Sequence, residues 1–424
     1  MHSLRFLALL GALLTISAAA AEIDAEAAQD YIREAGAAYR DGDMQSFTDA
    51  LETAYELNPF SLATRYNLAC AYALGGRAEA SLALLESLVA QRIDYGMAND
   101  DDLASLRDLP RFGEMVAQLE SSTVPVVAGS LRHEIERLDL VPEGIAIDTA
   151  TGRTFVGSMR TGEIFVFDAT GGLTKFATVE HDGPLAAIGL TADVARGTLW
   201  AVGASFGLVE SFDPDAPPRS GVFGFDLESG EPTKRYLAAN PVNGFNDVTL
   251  GPDGTLYLSG DAPSVVRPGS DHIQALPTTV DVYGSNGVAL HPDGRRLYTS
   301  AYPVGIAVID LHSGDTRWLE APDDVTLYGI DGLYWYRGGL VGVQNGTRPW
   351  RLARFTLDDS GHRITSARYL EFANPAITPT TGAIVGDDIH YVGQGPRPDA
   401  IPAHVPAALA PFLGKTLVMT ASLE

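Results

Sequence analysis

The stretch Asn286-Gly287-Val288-Ala289-Leu290-His291-Pro292-Asp293-Gly294 decides the fold, because it predicts a strand and a turn and then recurs along the chain. Its apolar residues alternate with smaller ones as in a β-strand, and Pro-Asp-Gly predicts a turn into a second strand. Six copies, roughly 40 to 58 residues apart, indicate the blades of a propeller. The copies begin at Glu143, Ile188, Asn246, Asn286, Asp331 and Thr381. The sequence therefore predicts a mainly β fold, a six-bladed β-propeller.

The N-terminus predicts export. Residues 1–5 form a short basic start, residues 6–16 are apolar, and residues 17–21 are mostly small. This order is typical of a secretory signal peptide, whereas a buried N-terminal helix would need a polar face. We expect residues 1–21 to be removed and the protein to be periplasmic or secreted. No later apolar run is long enough to predict a membrane span.

Composition narrows the classes of partner. The chain has 424 residues, 46% of them hydrophobic and 20% charged, which is typical of a globular protein with a large core. Its formal net charge of −25 argues against binding nucleic acid or anionic membranes and is compatible with a bound cation. Cys70 is the single cysteine, so no intramolecular disulfide can form, and its apolar helical surroundings predict a buried thiol.

Residues 22–120 have helical periodicity and resemble about two tetratricopeptide repeats followed by a helix pair. Such a helical domain could dock a protein partner or only pack on the propeller as a cap. A small-residue linker is expected at residues 121–129, and the propeller at residues 130–424. Residues 131–138 are predicted to pair with the last blade and close the ring.

The residue that begins each inner strand should lie in a ring at one opening of the central channel. Four of the six ring residues carry oxygen ligands: Glu143, Asn246, Asn286 and Asp331. Such hard donors suit Ca²⁺ best, with Mg²⁺, Mn²⁺ or Zn²⁺ as alternatives. The competing interpretation is that Asn and Asp begin strands because they favour turns. Two buried carboxylates without a cation would be costly, which favours the metal site.

Four residue pairs carry a family resemblance, and they are Glu143-Gly144, Asn246-Asp247, Asn286-Gly287 and Asp331-Gly332. They resemble the metal-site motifs of the senescence-marker-protein/gluconolactonase family, whose relatives include diisopropyl fluorophosphatase and paraoxonase-type lactonases. The resemblance covers about residues 131–424. It implies a six-bladed propeller that holds a divalent cation, usually Ca²⁺, on its axis and hydrolyses lactones or related esters and phosphoesters.

The resemblance also implies residue roles. Glu143, Asn286 and Asp331 match the core ligands, and Asn246 matches a ligand or a substrate-contacting position. Asp331 matches the position of a general base or nucleophile. Paraoxonase-type enzymes place a His in the second blade, where this chain has Ile188, so a His-based mechanism is not implied.

Loops that follow the second strands should return to the ring and form the wall of a substrate pocket. The expected substrate contacts on these loops are Arg160, Tyr302, Gln344 and Gln394. Residues 204–221, an insertion in the second blade, should fold over the opening as a lid.

Together these observations predict a metal-dependent hydrolase that acts on a small-molecule lactone, ester or phosphoester. The alternative is a non-catalytic propeller that binds a protein or small ligand, since fold alone does not fix function. A lyase resembling strictosidine synthase is a third, less favoured hypothesis, because that activity does not require the four-ligand set.

Overall fold

The structure is a computed structural model that describes residues 23–239, 241, 244–398 and 407–424. The predicted signal peptide therefore lies outside the described residues. None of the helices in the described part has the length and apolar character needed to cross a membrane.

The propeller consists of six four-stranded antiparallel sheets, which confirms the predicted architecture. After β1 (Ser130–Ile135), the first three blades contain β2 (Pro142–Ile147), β3 (Thr154–Ser158), β4 (Glu163–Phe167), β5 (Leu173–Thr178); β6 (Ala186–Asp193), β7 (Thr198–Ala204), β8 (Ser220–Asp226), β9 (Pro232–Leu237); and β10 (Phe245–Leu250), β11 (Leu256–Gly260), β12 (Ser264–Val266), β13 (Gln274–Ala275). The last three contain β14 (Ser285–Leu290), β15 (Arg296–Ala301), β16 (Gly305–Asp310), β17 (Thr316–Trp318); β18 (Ile330–Tyr336), β19 (Gly339–Gln344), β20 (Arg351–Leu357), β21 (Ile364–Phe372); and β22 (Thr378–Val385), β23 (Asp388–Gln394), β24 (Thr416–Ser422).

The first strand of the propeller closes the ring. β1 pairs antiparallel with β24 and becomes the outer strand of the sixth blade, as predicted from residues 131–138. The sixth blade thus combines strands from both ends of the propeller, so the ring has no open edge between its first and last blades.

Each inner strand carries a β-bulge near its start. In blade one, the regular pairing of β2 with β3 stops at Pro142 and resumes at Ile145. The two residues between them, Glu143 and Gly144, therefore oppose a single residue of β3. The same irregularity occurs in the other five inner strands. The bulged pairs are Glu143-Gly144, Ile188-Gly189, Asn246-Asp247, Asn286-Gly287, Asp331-Gly332 and Thr380-Thr381. The repeated polar-Gly pair of the sequence is therefore a repeated bulge.

Blade six corrects one predicted ring position. Its bulge comprises Thr380 and Thr381, one residue earlier than the predicted start of the repeat at Thr381. Gly382 follows Thr381 as a glycine follows the first residue in four of the other copies, but it pairs regularly with Tyr391.

Glycine occupies most second bulge positions because adjacent inner strands approach too closely for a side chain. A Cβ on Gly189 would lie 2.6 Å from the Cα of Asp247 in the next blade. One on Gly287 would collide with the backbone of Asp331 through Leu333. Neither glycine is in the left-handed region, so the constraint is space rather than backbone conformation.

The helical region, residues 25–122, contains five α-helices and two short 3₁₀ helices, Met97–Asn99 and Asp101–Leu106. Asp24, Asp43 and Ser61 cap three of the helices with side-chain oxygens, as their residue types favour. The helices are α1 (Ala25–Asp41), α2 (Met44–Leu57), α3 (Leu62–Leu74), α4 (Ala78–Ala90) and α5 (Pro110–Ser122).

The buried Arg351 fixes the helical region to blade five. Its guanidinium donates to the backbone oxygens of Gln91 (3.0 Å) and Arg92 (3.1 Å), just past the end of α4. A cation at a helix C-terminus is favourable because the carbonyls there lack partners and carry partial negative charge. Further along the chain, the Glu371 carboxylate accepts hydrogen bonds from the backbone N–H groups of Ala128 and Gly129. The segment between helices and propeller is thus pinned to blade five.

We predict that Gly287→Ala lowers the free energy of unfolding by about 1–3 kcal/mol, because the new methyl group forces adjacent inner strands apart. Gly113→Ala is the matched control: it lies on the exposed face of α5, with nothing within 4 Å of an added Cβ, and alanine favours a helix. Denaturant unfolding measures both. A Gly287→Ala protein as stable as the wild type would contradict the close-approach explanation.

Candidate metal centre and substrate pocket

The propeller has two distinct faces. The inner strands begin at one face, together with the loops that follow the second and fourth strands, and we call this the ring face. The Pro-Asp-Gly turns, such as Pro292-Asp293-Gly294, lie at the opposite face, which we call the turn face. All six bulges lie near the ring face.

Three carboxylates are buried close to one another where the bulges meet. Glu143, Asp247 and Asp331 are only 8%, 7% and 6% exposed. Burial raises the pKa of Glu143 well above its ordinary value, and the charges of Asp331 and Asp247 raise it further. Burial also raises the pKa of Asp331 to about 7 and that of Asp247 to about 7. Burial is the largest cause in each case, because a carboxylate removed from water is costly to ionise.

Two amide oxygens at the same ring are buried without a hydrogen-bond partner. They are the Oδ1 atoms of Asn246 and Asn286. Buried polar atoms are nearly always satisfied, so two orphaned carbonyl oxygens beside three carboxylates need a physical explanation. A divalent cation would supply it, since it would accept oxygen ligands and offset the repulsion.

Asn345, the residue that follows the second strand of blade five, holds the carboxylate of Asp331. The Nδ2 of Asn345 donates to Asp331 Oδ2 and, at 3.1 Å, to the backbone oxygen of Pro379. The Oδ1 of Asn345 accepts a hydrogen bond from the Tyr302 hydroxyl at 2.9 Å. Hydrogen bonds from Asn345 and Asn286 partly offset the burial that raises the Asp331 pKa. The carboxylate is therefore oriented by amides on two blades.

Two residues of this site were missed by sequence reasoning. Asp247 occupies a second bulge position, where the other five blades carry glycine or threonine and none a charge; that departure from the repeat could have revealed it. Tyr334 has its hydroxyl close to the carboxylates and accepts a hydrogen bond from the Gly382 N–H at 2.6 Å. Nothing in the sequence distinguishes Tyr334 from an ordinary strand residue.

A cavity of about 320 Å³ lies in the central channel. Asp247, Tyr334 and Thr381 line it together with inner-strand residues that continue toward the turn face. The buried carboxylates thus lie between this channel and the loops of the ring face.

The structure places the four predicted substrate contacts differently. The Tyr302 hydroxyl donates to Asn345, which in turn donates to Asp331. Arg160 is paired with Asp139 (3.3 Å) and Glu210 (3.2 Å) and is mostly buried. Gln344 is fully buried and donates to the backbone oxygens of Thr326 and Tyr328. Gln394 ends β23 with its Nε2 buried and unpaired. Of the four, the structure links Tyr302 to the axial carboxylates by hydrogen bonds.

The blade-two insertion lies on the ring face, as predicted, and connects β7 to β8. Its Val209 packs in one cluster with the ring residue Ile188 and with Met159 of blade one. Glu210 is tied to Arg160 through both its backbone N–H (2.8 Å) and its side chain (3.2 Å). This segment therefore covers the ring on the side of blades one and two.

The axial residues fit a divalent cation by their chemistry: carboxylates and orphaned amide oxygens, all hard donors. Within the described part of the chain, the one group of three His, Cys, Asp or Glu side chains with ligand atoms all within 4.8 Å of one another lies elsewhere, at Cys70, Asp100 and Asp102. There, Asp100 already accepts from the Tyr66 hydroxyl at 2.7 Å, and burial raises the pKa of the Cys70 thiol. A protonated thiol and occupied carboxylates make that group a poorer metal site than the axial set.

Scanned against protein-family models, the chain matches none, and a search of curated proteins returns no match. Among solved structures, similar chains include a gluconolactonase from Xanthomonas campestris (16% identity, TM-score 0.47, 70% of this chain and 97% of that one). Another is a protein described as an oxidoreductase (glucose dehydrogenase) from Thermus thermophilus (16%, 0.46, 69% and 100%). A third is a luciferin-regenerating enzyme (14%, 0.46, 71% and 96%).

We predict a pH dependence of stability in the presence of a chelator. Because the Asp331 pKa is raised from its ordinary 3.8 to about 7, the native state keeps a proton that the unfolded chain releases in this window. Stability should therefore fall as pH rises from about 4 to about 7. Asp331→Asn removes this titration. The stability of the variant relative to that of the wild type should therefore rise over the same pH range.

The matched control is Asp148→Asn, which also removes a buried carboxylate, but one at the turn face whose pKa is lowered. Its difference from the wild type should stay nearly constant between pH 5 and 7. Thermal unfolding at several pH values measures both variants. If the difference in thermal stability between Asp331→Asn and the wild type did not change with pH, Asp331 would not have the raised pKa that its burial implies.

Proposed function

We propose that the protein is a divalent-cation-dependent hydrolase of lactones or related esters and phosphoesters, with the cation held on the propeller axis. The observation that carries this proposal is the pair of orphaned oxygens on Asn246 and Asn286 beside the carboxylates of Glu143 and Asp331. Ca²⁺ is the proposed cation, because every donor in this set is a hard oxygen. A cation of this kind, when bound, polarises a carbonyl or phosphoryl oxygen of the substrate.

Asp331 is the proposed catalytic residue. Its carboxylate is buried at the ring and held by hydrogen bonds from Asn345 and Asn286, which places it to take and return a proton in the site. In one form of the reaction it accepts a proton from water as the water oxygen attacks the lactone carbonyl carbon. The ring C–O bond then breaks, and the proton passes to the departing alkoxide. Direct attack by Asp331 on the substrate is the alternative route.

Two further features complete the proposal. The N-terminal 21 residues support export to the periplasm or outside the cell. Residues 22–120 are proposed to form a helical domain that packs on the propeller, and nothing in the axial site requires it to bind a protein partner.

Calorimetric titration with Ca²⁺ and a panel of lactones, aryl esters and phosphotriesters tests the proposal. Glu143→Gln and Asp331→Asn should each weaken cation affinity by about tenfold or more, because each removes a charged ligand. Asp331→Asn should also abolish most turnover while leaving the fold intact. Added Ca²⁺ should raise the thermal stability of the wild type, since it binds only the native state.

Asp148→Asn is again the control, with affinity and turnover expected to match the wild type. Equal cation affinity in all four proteins would refute the axial metal site. A wild type that binds Ca²⁺ but hydrolyses nothing in the panel would instead favour the non-catalytic propeller.

Shortening residues 205–219 to the length of the loop between β15 and β16 in blade four should widen the range of substrates. The segment packs over the ring on one side through Val209 and Glu210, so its removal enlarges the opening. Cation affinity should remain unchanged, because no proposed ligand lies in it. Steady-state kinetics with lactones of increasing size measure the effect, and loss of the cation by a folded truncation variant would contradict the lid assignment.

A further inference from the structure

The helical region joins the propeller on the same face as the axial site. Hydrogen bonds between the propeller and the helices or their connections involve four ring-face positions in blades four and five, and Arg351 is the donor at one of them. These positions are Pro303, Asp323, Arg348 and Arg351. The first is one residue after Tyr302, and the third is three residues after Asn345, the two residues that lead to Asp331.

An aromatic contact continues from the helices toward the axis. Tyr328, in the connection between blades four and five, packs against the hydrophobic core of the helical region. Its ring centroid lies 6.4 Å from that of Tyr302. The Tyr302 ring also packs against Gly346. A Cβ added to this glycine would lie 2.8 Å from the phenol ring and hydroxyl of Tyr302. The Tyr302 ring is thus held between Tyr328 and a glycine that has no side chain to displace it.

The Tyr302 hydroxyl completes the set of hydrogen bonds that orients the Asn345 amide. An asparagine side chain has one accepting oxygen and one donating nitrogen, which point in different directions. Because Oδ1 of Asn345 accepts from Tyr302, Nδ2 is directed at Asp331 and Pro379. A reversed amide would place two oxygens against each other at Asp331.

We propose that Tyr302 is a positioning residue that couples the helical region to the axial site by holding Asn345 against Asp331. The helical region is then a part of the catalytic apparatus rather than only a cap, although it contributes no ligand. This inference rests on the proposed function for its effect on turnover. Its effects on cation affinity and on the Asn345 side chain do not depend on catalysis.

Tyr302→Phe in the full chain tests the inference, because it removes the hydroxyl and keeps the ring. Removing a partner that orients a metal ligand usually costs about tenfold in affinity or activity. We expect Ca²⁺ affinity measured by calorimetry, and kcat for any lactone that the wild type hydrolyses, to fall by about that factor. KM should change little, because the hydroxyl is engaged with Asn345 rather than with substrate.

Tyr298→Phe is the matched control. Tyr298 belongs to the same blade, is fully buried, and donates its hydroxyl to the Gly361 backbone oxygen at 3.0 Å. Its loss should lower stability as much as Tyr302→Phe does while leaving cation affinity and kcat unchanged. Tyr328→Leu, which removes the ring between the helices and Tyr302, should weaken affinity in the same direction as Tyr302→Phe but by a smaller factor.

A crystal structure of Tyr302→Phe gives a readout that needs neither cation nor turnover. We expect the Asn345 amide to leave its position on Asp331 or to occupy two orientations. An unchanged bond between Asn345 and Asp331, or equal cation affinities in Tyr302→Phe and Tyr298→Phe, would overturn it. A wild type that binds Ca²⁺ without hydrolysing any substrate would sink the proposed function alone.

Discussion

The burial of three carboxylates near one another is the constraint on which the rest of this structure depends. Glu143, Asp247 and Asp331 are almost fully buried, and their raised pKa values express mainly the cost of ionising buried groups, to which neighbouring charges add at Glu143 and Asp247. Bulges at the start of the inner strands direct these side chains to the axis, and glycines at the next positions let the strands approach closely enough to bring them together. A cation that binds there would offset the repulsion and satisfy the orphaned amide oxygens.

Two elements other than the propeller strands lie on the ring face. The insertion in blade two covers one side of the ring through Val209, and the helical region lies on the opposite side, over blades four and five. Arg351 fixes that region, and Glu371 fixes the segment that follows it, through buried, charge-assisted hydrogen bonds, which hold them more firmly than surface ion pairs would. The blade-two insertion and the helical region thus lie on opposite sides of the opening over the axis.

Local patterns were enough to predict the blade count, the ring-closing strand and five of the six ring positions, because each copy repeats the same spacing and turn chemistry. The same reliance on spacing misplaced blade six by one residue, since Gly382 resembles the other glycines but pairs as an ordinary strand residue. The contact from Asn345 to Asp331 joins two strands of one blade, and that from Tyr302 joins two blades, so neither has a local signal. The face that receives the helices is likewise set by tertiary contacts such as that of Arg351 with the end of α4.

Anomalous diffraction from crystals soaked with Mn²⁺ or a lanthanide, as a stand-in for Ca²⁺, tests the central claim most directly. We expect one strong peak on the propeller axis within coordination distance of Glu143, Asn246, Asn286 and Asp331. A peak at Cys70, Asp100 and Asp102 with none on the axis, or no ordered peak at either place, would contradict the account.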